Sequence, residues 1–491
     1  MNAEPLQALG LLVACGGAAA AIAAPEWRWR HVVLAVALVV APLLIAGDVW
    51  GDPRIADLRD SPGLLAAGAL ALAAAIAVGA AIFRRWQWAL PLLAFAALAL
   101  RLPVRVAGET SNLLIPLYLV IGAGLAASIW DRVGPGARRD APAVVEVSAV
   151  VWLRRLLAAT LVLYALQAIY SEDVSNAIEN ACFFLVPFAG LFVLLTEVRW
   201  DERQLVWIAY AVGAVALAYA VVAFWEYAAR DLIFNTQLLE SNQIKPYFRV
   251  NSLFHDPNVL GRYLALVVVV IAAVVAWSRA GARSAVALGV GIVLLAALAL
   301  TFSQTSVTAL LAGLVVLAWL RYGIVWGLAS GAAAVLVVVA VFAFIGGEGD
   351  QGPARSFNKE TAGRVSLVEG GIELAGDRPL YGWGSGSFGR AYYDQIKKTE
   401  GTTSHSEPIT VAAEQGVIGF VLYAALLGVT AWVLFGAGAG LSPARSAVAA
   451  CMAAMVVHSL GYAGFVIDPA TWALLGLGVA LRVTTIKGSD P

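Results

Sequence analysis

The chain has 491 residues, 61% of them hydrophobic and 13% charged, with 32 basic and 32 acidic side chains, and its mean hydropathy is +0.82. Many apolar runs reach about 18 residues or more, which excludes a soluble domain, because a bilayer core of roughly 30 Å is crossed by about 20 apolar helical residues. Zero net charge excludes the basic excess of a nucleic-acid binder, so the informative charge is its distribution between loops.

Taken in chain order, apolar runs between polar breaks predict helices near 6–24, 31–47, 62–83, 87–100, 111–130, 150–170, 177–197, 204–227, 257–277, 284–301, 304–320, 323–345, 408–436, 443–464 and 467–482. The fold class is all-α, a polytopic transmembrane bundle of about 14–15 helices, the short 87–100 run ending at Arg101. The first run, Leu6 to Ala24, has no basic region ahead of it and no convincing cleavage site, and reads as a retained helix. Cys15, Cys182 and Cys451 fall inside apolar runs, as packing residues do, which argues against a disulfide framework or a metal site. One alternate set of connections, containing pairs such as Arg84/Arg85, Arg154/Arg155 and Arg279/Arg283, outnumbers the other in basic residues by roughly two to one. Basic residues near helix ends favour the cytoplasm, so the polar insertions 228–256 and 346–407 are expected on the outer face. The organisation is then N-terminal additional helices over 1–105, a core over 106–345, a long external loop over 346–407 folded onto the membrane part, and C-terminal helices over 408–491.

Chemistry is expected in the two insertions, since helices of Ala, Leu and Val offer nothing reactive. In KPYFRVNSLFHDPNVLGRYLAL, Arg249 precedes Asn251, His255, Asp256, Pro257 and Asn258, and Arg262 lies just inside the next helix. Aromatics beside a guanidinium suit an anion or a sugar at a membrane surface, and they equally suit plain interfacial anchoring. The polar TFSQTS, Thr301 to Ser306 with Gln304, joins two helices at their outer ends. RVSLVEGGIELAG, beginning at Arg364, predicts an amphipathic helix with Leu367, Ile372 and Leu374 on its apolar side. DRPLYGWGSGSFGR then brings Gly384 and Gly386, either as a turn packed on Trp383 and Tyr381 or as the wall of a ligand site. No strand precedes these glycines and no P-loop lysine follows them.

His405 stands in GTTSHSEPITVAAEQGVIGF, just ahead of an apolar helix. Pro408 is a good first-turn residue and Ser406 or Glu407 lies near the cap, which puts the imidazole beside the positive end of the helix. A neutral imidazole there can accept a proton as a general base. The other reading is a surface histidine bonded to a loop. Glu414 lies seven residues after Glu407, on the same face two turns deeper, where a carboxylate is costly unless it orients a site or meets an arginine.

The ordered set RVNSLFHDPNVLG, TFSQTS, Arg364 with PLYGWGSGSF, and HSEPITVAAEQGVIG resembles the O-antigen ligase and polymerase superfamily over roughly residues 150–480. The resemblance implies a multi-pass glycosyltransferase of the bacterial cytoplasmic membrane. Such an enzyme takes a glycan from undecaprenyl diphosphate at the external leaflet and joins it to a hydroxyl of a glycan, lipid or protein acceptor, without metal or other cofactor. It implies His405 as catalytic base and Arg249 and Arg364 as ligands of the carrier diphosphate; Asn251, His255, Asn258, Gln304, Gly384, Gly386 and Glu414 are the substrate-binding candidates expected around them. Many members carry arginine where this chain has Gln304 and His-Asn where it has His405-Ser406, and three N-terminal helices stand ahead of a twelve-helix core. The motifs leave ligase and polymerase unseparated. A secondary transporter, the alternative from another class, would gather its charges at mid-membrane helix breaks, whereas here they gather in outer loops.

Overall fold

The computed structural model describes residues 3–53, 56–106, 109–134, 147–244, 247–345, 364–397, 403–436 and 441–487. From the N-terminus come α1 (Pro5–Ala23), α2 (Arg30–Val49), the single turn α3 (Ala56–Arg59), α4 (Pro62–Arg85) and the short α5 (Ala89–Ala97). A hairpin of β1 (Leu102–Val106) and β2 (Glu109–Leu113) leads into α6 (Ile115–Val133), α7 (Ser148–Ala168), α8 (Val174–Asn180), a π turn (Ala181–Leu185) and α9 (Val186–Glu197). The central part holds α10 (Glu202–Ala229), α11 (Thr236–Ile244), α12 (Pro257–Trp277), α13 (Ala282–Leu300), α14 (Gln304–Tyr322) and α15 (Ile324–Ile345). The chain ends with α16 (Arg364–Asp377), α17 (Phe388–Tyr392), a second π turn (Tyr393–Lys397), α18 (Glu407–Phe435), α19 (Pro443–Ser459) and α20 (Pro469–Lys487).

All fifteen predicted apolar runs are helical, and among the described residues ten helices are long and apolar enough to cross a membrane. The protein is a polytopic helical bundle. One local reading changes: the helix expected from residue 111 starts at Ile115, because Glu109–Leu113 pairs antiparallel with Leu102–Val106, Leu102 opposite Leu113. The stretch ETSN has no apolar face to offer a helix bundle, and a scan for apolar runs weighs hydropathy rather than period.

Helix starts follow their local chemistry. Asp201 caps α10 by accepting from Gln204 N while the Gln204 side chain returns to Asp201 N, and Asp256 with Pro257 at the first position opens α12. In the middle of the bundle α12 packs on α14 and α19. Gly313 permits this approach: a Cβ there would lie 2.7 Å from Val269 Cγ2 and 3.2 Å from the carbonyl of Ala450. Gly313→Val is expected to destabilise the bundle by about 1–3 kcal/mol through overpacking, read as a lower unfolding midpoint in detergent. An unchanged midpoint would mean that the three helices do not meet there.

The described part of the long insertion folds onto α18, with Leu367 and Leu374 of α16 buried as expected, whereas Ile372, expected on the same apolar side, is exposed because it lies on the face turned away from that contact. Leu367 and Leu374 of α16, Trp383, Phe388, Tyr392 and Ala413 form a small core of their own between the insertion and α18. Residues 346–363 lie outside the described residues.

Candidate active site

Three loops converge at one end of the bundle, each fastened by a buried or half-buried glutamate that accepts backbone amides. Glu226, at the end of α10, accepts from Asn251 N at 3.1 Å and Ser252 N at 2.7 Å. Glu407, in the first turn of α18, accepts from Gly464 N at 2.5 Å. Glu414, two turns on, accepts from Gly386 N at 2.8 Å and Phe388 N at 3.1 Å. Each carboxylate thereby satisfies donors that a loop against apolar helices would otherwise leave orphaned.

The glycine run and the helix behind it are two halves of one joint. Trp383 N donates to Ala413 O at 3.0 Å, Gly384 N to Glu414 O at 2.8 Å and Val417 N to Pro379 O at 2.8 Å, across a kink at Gly416, φ 63°. Gly384 and Gly386 have φ of +98° and +76°, and a Cβ on either would run into the backbone at Ser171 or Ala177. Gly384 N is committed to the main-chain carbonyl of Glu414 and Gly386 N to its carboxylate, so the arginine partner, one of the two expectations for Glu414, gives way to amide capping. Gly386 and Glu414 still line a cavity of about 920 Å³ that also touches Thr403 and Glu407, on either side of His405.

Arg249 is placed by Asn242 of α11, whose amide group donates to Arg249 O at 2.9 Å and accepts from Arg249 N at 3.1 Å. Its guanidinium donates to Thr301 O at 2.9 Å and to Asn258 Oδ1 at 3.3 Å. Ser303 Oγ donates to the same Asn258 oxygen at 2.9 Å and lies 2.8 Å from Ser306 Oγ, which lies 3.3 Å from His458 Nε2. Asn258 Nδ2 donates to Asp256 Oδ1 at 2.9 Å, and Tyr462 Oη donates to Asp256 Oδ2 at 2.8 Å. Burial, and then the charge of Asp256, push the Tyr462 phenol well above its ordinary value, so it stays a donor. The Tyr462 ring lies near two histidines, its centroid 6.0 Å from that of His405 and 5.7 Å from that of His458.

His405 is half-buried and adopts φ 56°, held in a turn where the buried Ser404 Oγ donates to Ser406 O at 2.7 Å and accepts from Ser406 N at 3.0 Å. Of the sequence-predicted residues, Arg249, Asn251, Asn258 and the segment around Gln304 come together, and His405 joins them through Tyr462. Asn251 is fully buried, while His255 is exposed and contributes its carbonyl to Asn235 and Asn251. Gln304 opens α14 half-buried, the polar network passing through Ser303 and Ser306 on either side of it. Arg364 opens α16, and its side chain lies outside the described residues. Sequence reasoning missed His458, Tyr462 and Asp468, the last of them the buried ion-pair partner of Arg262. The available signal was a histidine in the last turn of an apolar helix that the predicted run 443–464 extended through.

Tyr462→Phe is expected to cost about 1.5–3 kcal/mol of stability by removing one hydrogen bond to the Asp256 carboxylate. The same unfolding assay checks it, and a loss above about 3 kcal/mol would mean that the phenol supports more than this hydrogen bond.

No curated protein sequence matches the chain. The family model described as O-Antigen ligase matches residues 289–424, a little over a quarter of the chain. The matched span contains Gln304, Arg364, the glycine turn, His405 and Glu414, and ends inside α18. The chain thus carries an O-antigen ligase domain over residues 289–424, in a bundle that has ten membrane-length apolar helices among the described residues.

Proposed function

We propose that the protein transfers a glycan from an undecaprenyl diphosphate carrier to an acceptor hydroxyl at the external face of the bacterial cytoplasmic membrane, with His405 as general base. The observation that carries this reading is the concentration of backbone strain at the converging loops. Four non-glycine residues among those described have a left-handed backbone, and three of them, Ser252, Phe302 and His405, stand on the three segments that meet around Asn258 and Tyr462. Such conformations cost about 1–3 kcal/mol each and persist where surrounding structure enforces them, as it does at sites of function.

In the reaction, His405 takes the proton of the acceptor hydroxyl as its oxygen attacks the anomeric carbon, and the bond from that carbon to the carrier diphosphate breaks. Arg249 and Arg364 stabilise the charge that develops on the leaving diphosphate. Asn258 and the Thr301 carbonyl fix the Arg249 guanidinium before substrate arrives, which favours catalysis by positioning. The single displacement inverts the anomeric carbon, and Asn251, His255, Gln304, Gly384, Gly386 and Glu414 shape the surrounding walls.

The test is reconstitution of the purified protein with a carrier-linked glycan pool from its own host, following release of undecaprenyl diphosphate and the products by mass spectrometry. Carrier release with glycan on a new acceptor identifies a ligase, and a carrier bearing multiple repeats identifies a polymerase. An authentic donor and acceptor mixture left untouched by folded protein would refute the enzyme reading, and retained anomeric configuration would refute single displacement.

A further inference from the structure

A second cavity, of about 570 Å³, lies between α5, α10, α12, α19 and α20. Along α12 it is lined by Val259, Leu266, Val267, Val270 and Val274, with Arg262 and Tyr263 in the same stripe. These positions recur at helical spacing over fifteen residues, about 22 Å at 1.5 Å per residue, most of the way through a bilayer core of roughly 30 Å. The walls are largely aliphatic and the two ends differ in charge. Asp201 and Glu202 stand at one end, Arg101, Arg262 and Asp468 at the other.

At the arginine end Arg262 pairs with Asp468, both buried, and Asp468 also accepts from Ala470 N at 2.8 Å. Arg101 lies within electrostatic reach of both, its guanidinium 5.5 Å from the centre of the Phe254 ring, and its buried Nε has no hydrogen-bond partner. Two guanidiniums thus face one carboxylate at the mouth of an apolar slot. Arg262 is one helical turn below Asn258, and its guanidinium carbon is 5.9 Å from the centre of the Tyr462 ring, which borders His405. The TFSQTS segment, which meets Arg249 through the Thr301 carbonyl, carries no charged side chain, so a lipid diphosphate reaching this end meets its further cations one turn deeper.

We propose that Arg101 and Arg262 form an anion site for the phosphate of a single-chain polyprenyl lipid whose tail lies along the α12 stripe of this cavity. The site supplies, from α12 and from the segment after α5, charge that the TFSQTS segment lacks. The acidic opposite end sets the direction of the chain, repelling a phosphate there and leaving the arginine end as the headgroup position. This identification of the carrier site rests on the glycosyltransferase reading for its place in a reaction, though the binding itself does not.

The experiment places the full-length protein in phosphatidylcholine nanodiscs and titrates undecaprenyl phosphate, undecaprenol and phosphatidylglycerol, with binding read by native mass spectrometry. Undecaprenyl phosphate is expected to bind one per protein and at least about tenfold tighter than undecaprenol. Arg101→Gln is expected to remove about tenfold of the phosphate affinity and to leave undecaprenol unaffected, as loss of a charge-assisted contact predicts. Val270→Trp, which fills the slot, is expected to weaken both chains. Equal binding of undecaprenyl phosphate by wild type, Arg101→Gln and Val270→Trp would overturn the site, as would displacement by an equal concentration of phosphatidylglycerol, which would assign the mouth to ordinary membrane lipid. The two readings fail separately. A His405→Ala protein that still transfers glycan refutes the base with this site intact, whereas transfer by a wild type whose lipid binding ignores Arg101 refutes only the site.

Discussion

His405→Ala is expected to lower glycan transfer by about 10²- to 10⁴-fold, the range a positioned general base contributes. The loss should fall on kcat, with KM for the donor little changed, because in the proposed mechanism the imidazole serves the acceptor proton and the guanidiniums hold the diphosphate. Folding should change little. Alanine inherits the same left-handed backbone, and Ser404 rather than the imidazole closes the turn through its bonds to Ser406. Initial rates of undecaprenyl diphosphate release, measured beside the unfolding midpoint in the same detergent, separate the outcomes. A variant that keeps its midpoint and more than about a tenth of the wild-type rate would show that another group takes the proton. His458 would then be the next candidate, since its ring centroid is 5.7 Å from that of the same Tyr462.

The bundle was legible because membrane helices announce themselves by length and hydropathy, and every predicted apolar run is helical. The hairpin at Leu102–Val106 and Glu109–Leu113 was not, since five-residue strands leave no mark on such a scan. The convergence of the candidate residues was legible where they are neighbours in sequence. Arg249, Asn251, Asp256 and Asn258 lie within ten positions of one another and hydrogen-bond largely among themselves and to Thr301 and Ser303. Tyr462 was invisible for the opposite reason: its partner Asp256 is 206 positions away, and nothing local marks a tyrosine at the end of an apolar helix as anything but an anchor. The two most specific sequence elements, PLYGWGSGSF and HSEPITVAAEQGVIG, turn out to be the two sides of one joint. Only tertiary contact explains why glycines in the first accompany Glu414 and Gly416 in the second.

That joint yields the second large effect. Glu414→Ala is expected to destabilise the protein by about 2–4 kcal/mol, because it removes the acceptor of both Gly386 N and Phe388 N, and a buried donor left unsatisfied costs about 1–3 kcal/mol. Glu414→Gln, which keeps one carbonyl oxygen for one of those amides, should lose roughly half as much. Unfolding of the two variants in detergent, followed by tryptophan emission because Trp383 lies in this small core, gives the ratio directly. Transfer activity should track the fraction folded in both. If Glu414→Gln instead kept the wild-type midpoint and lost activity as completely as His405→Ala, the carboxylate would be acting on substrate across the 920 Å³ cavity it lines, and the amide-capping account would be wrong. If activity follows stability, Glu414 is a positioning residue: it holds the glycine turn against α18, and the turn closes the wall beside His405.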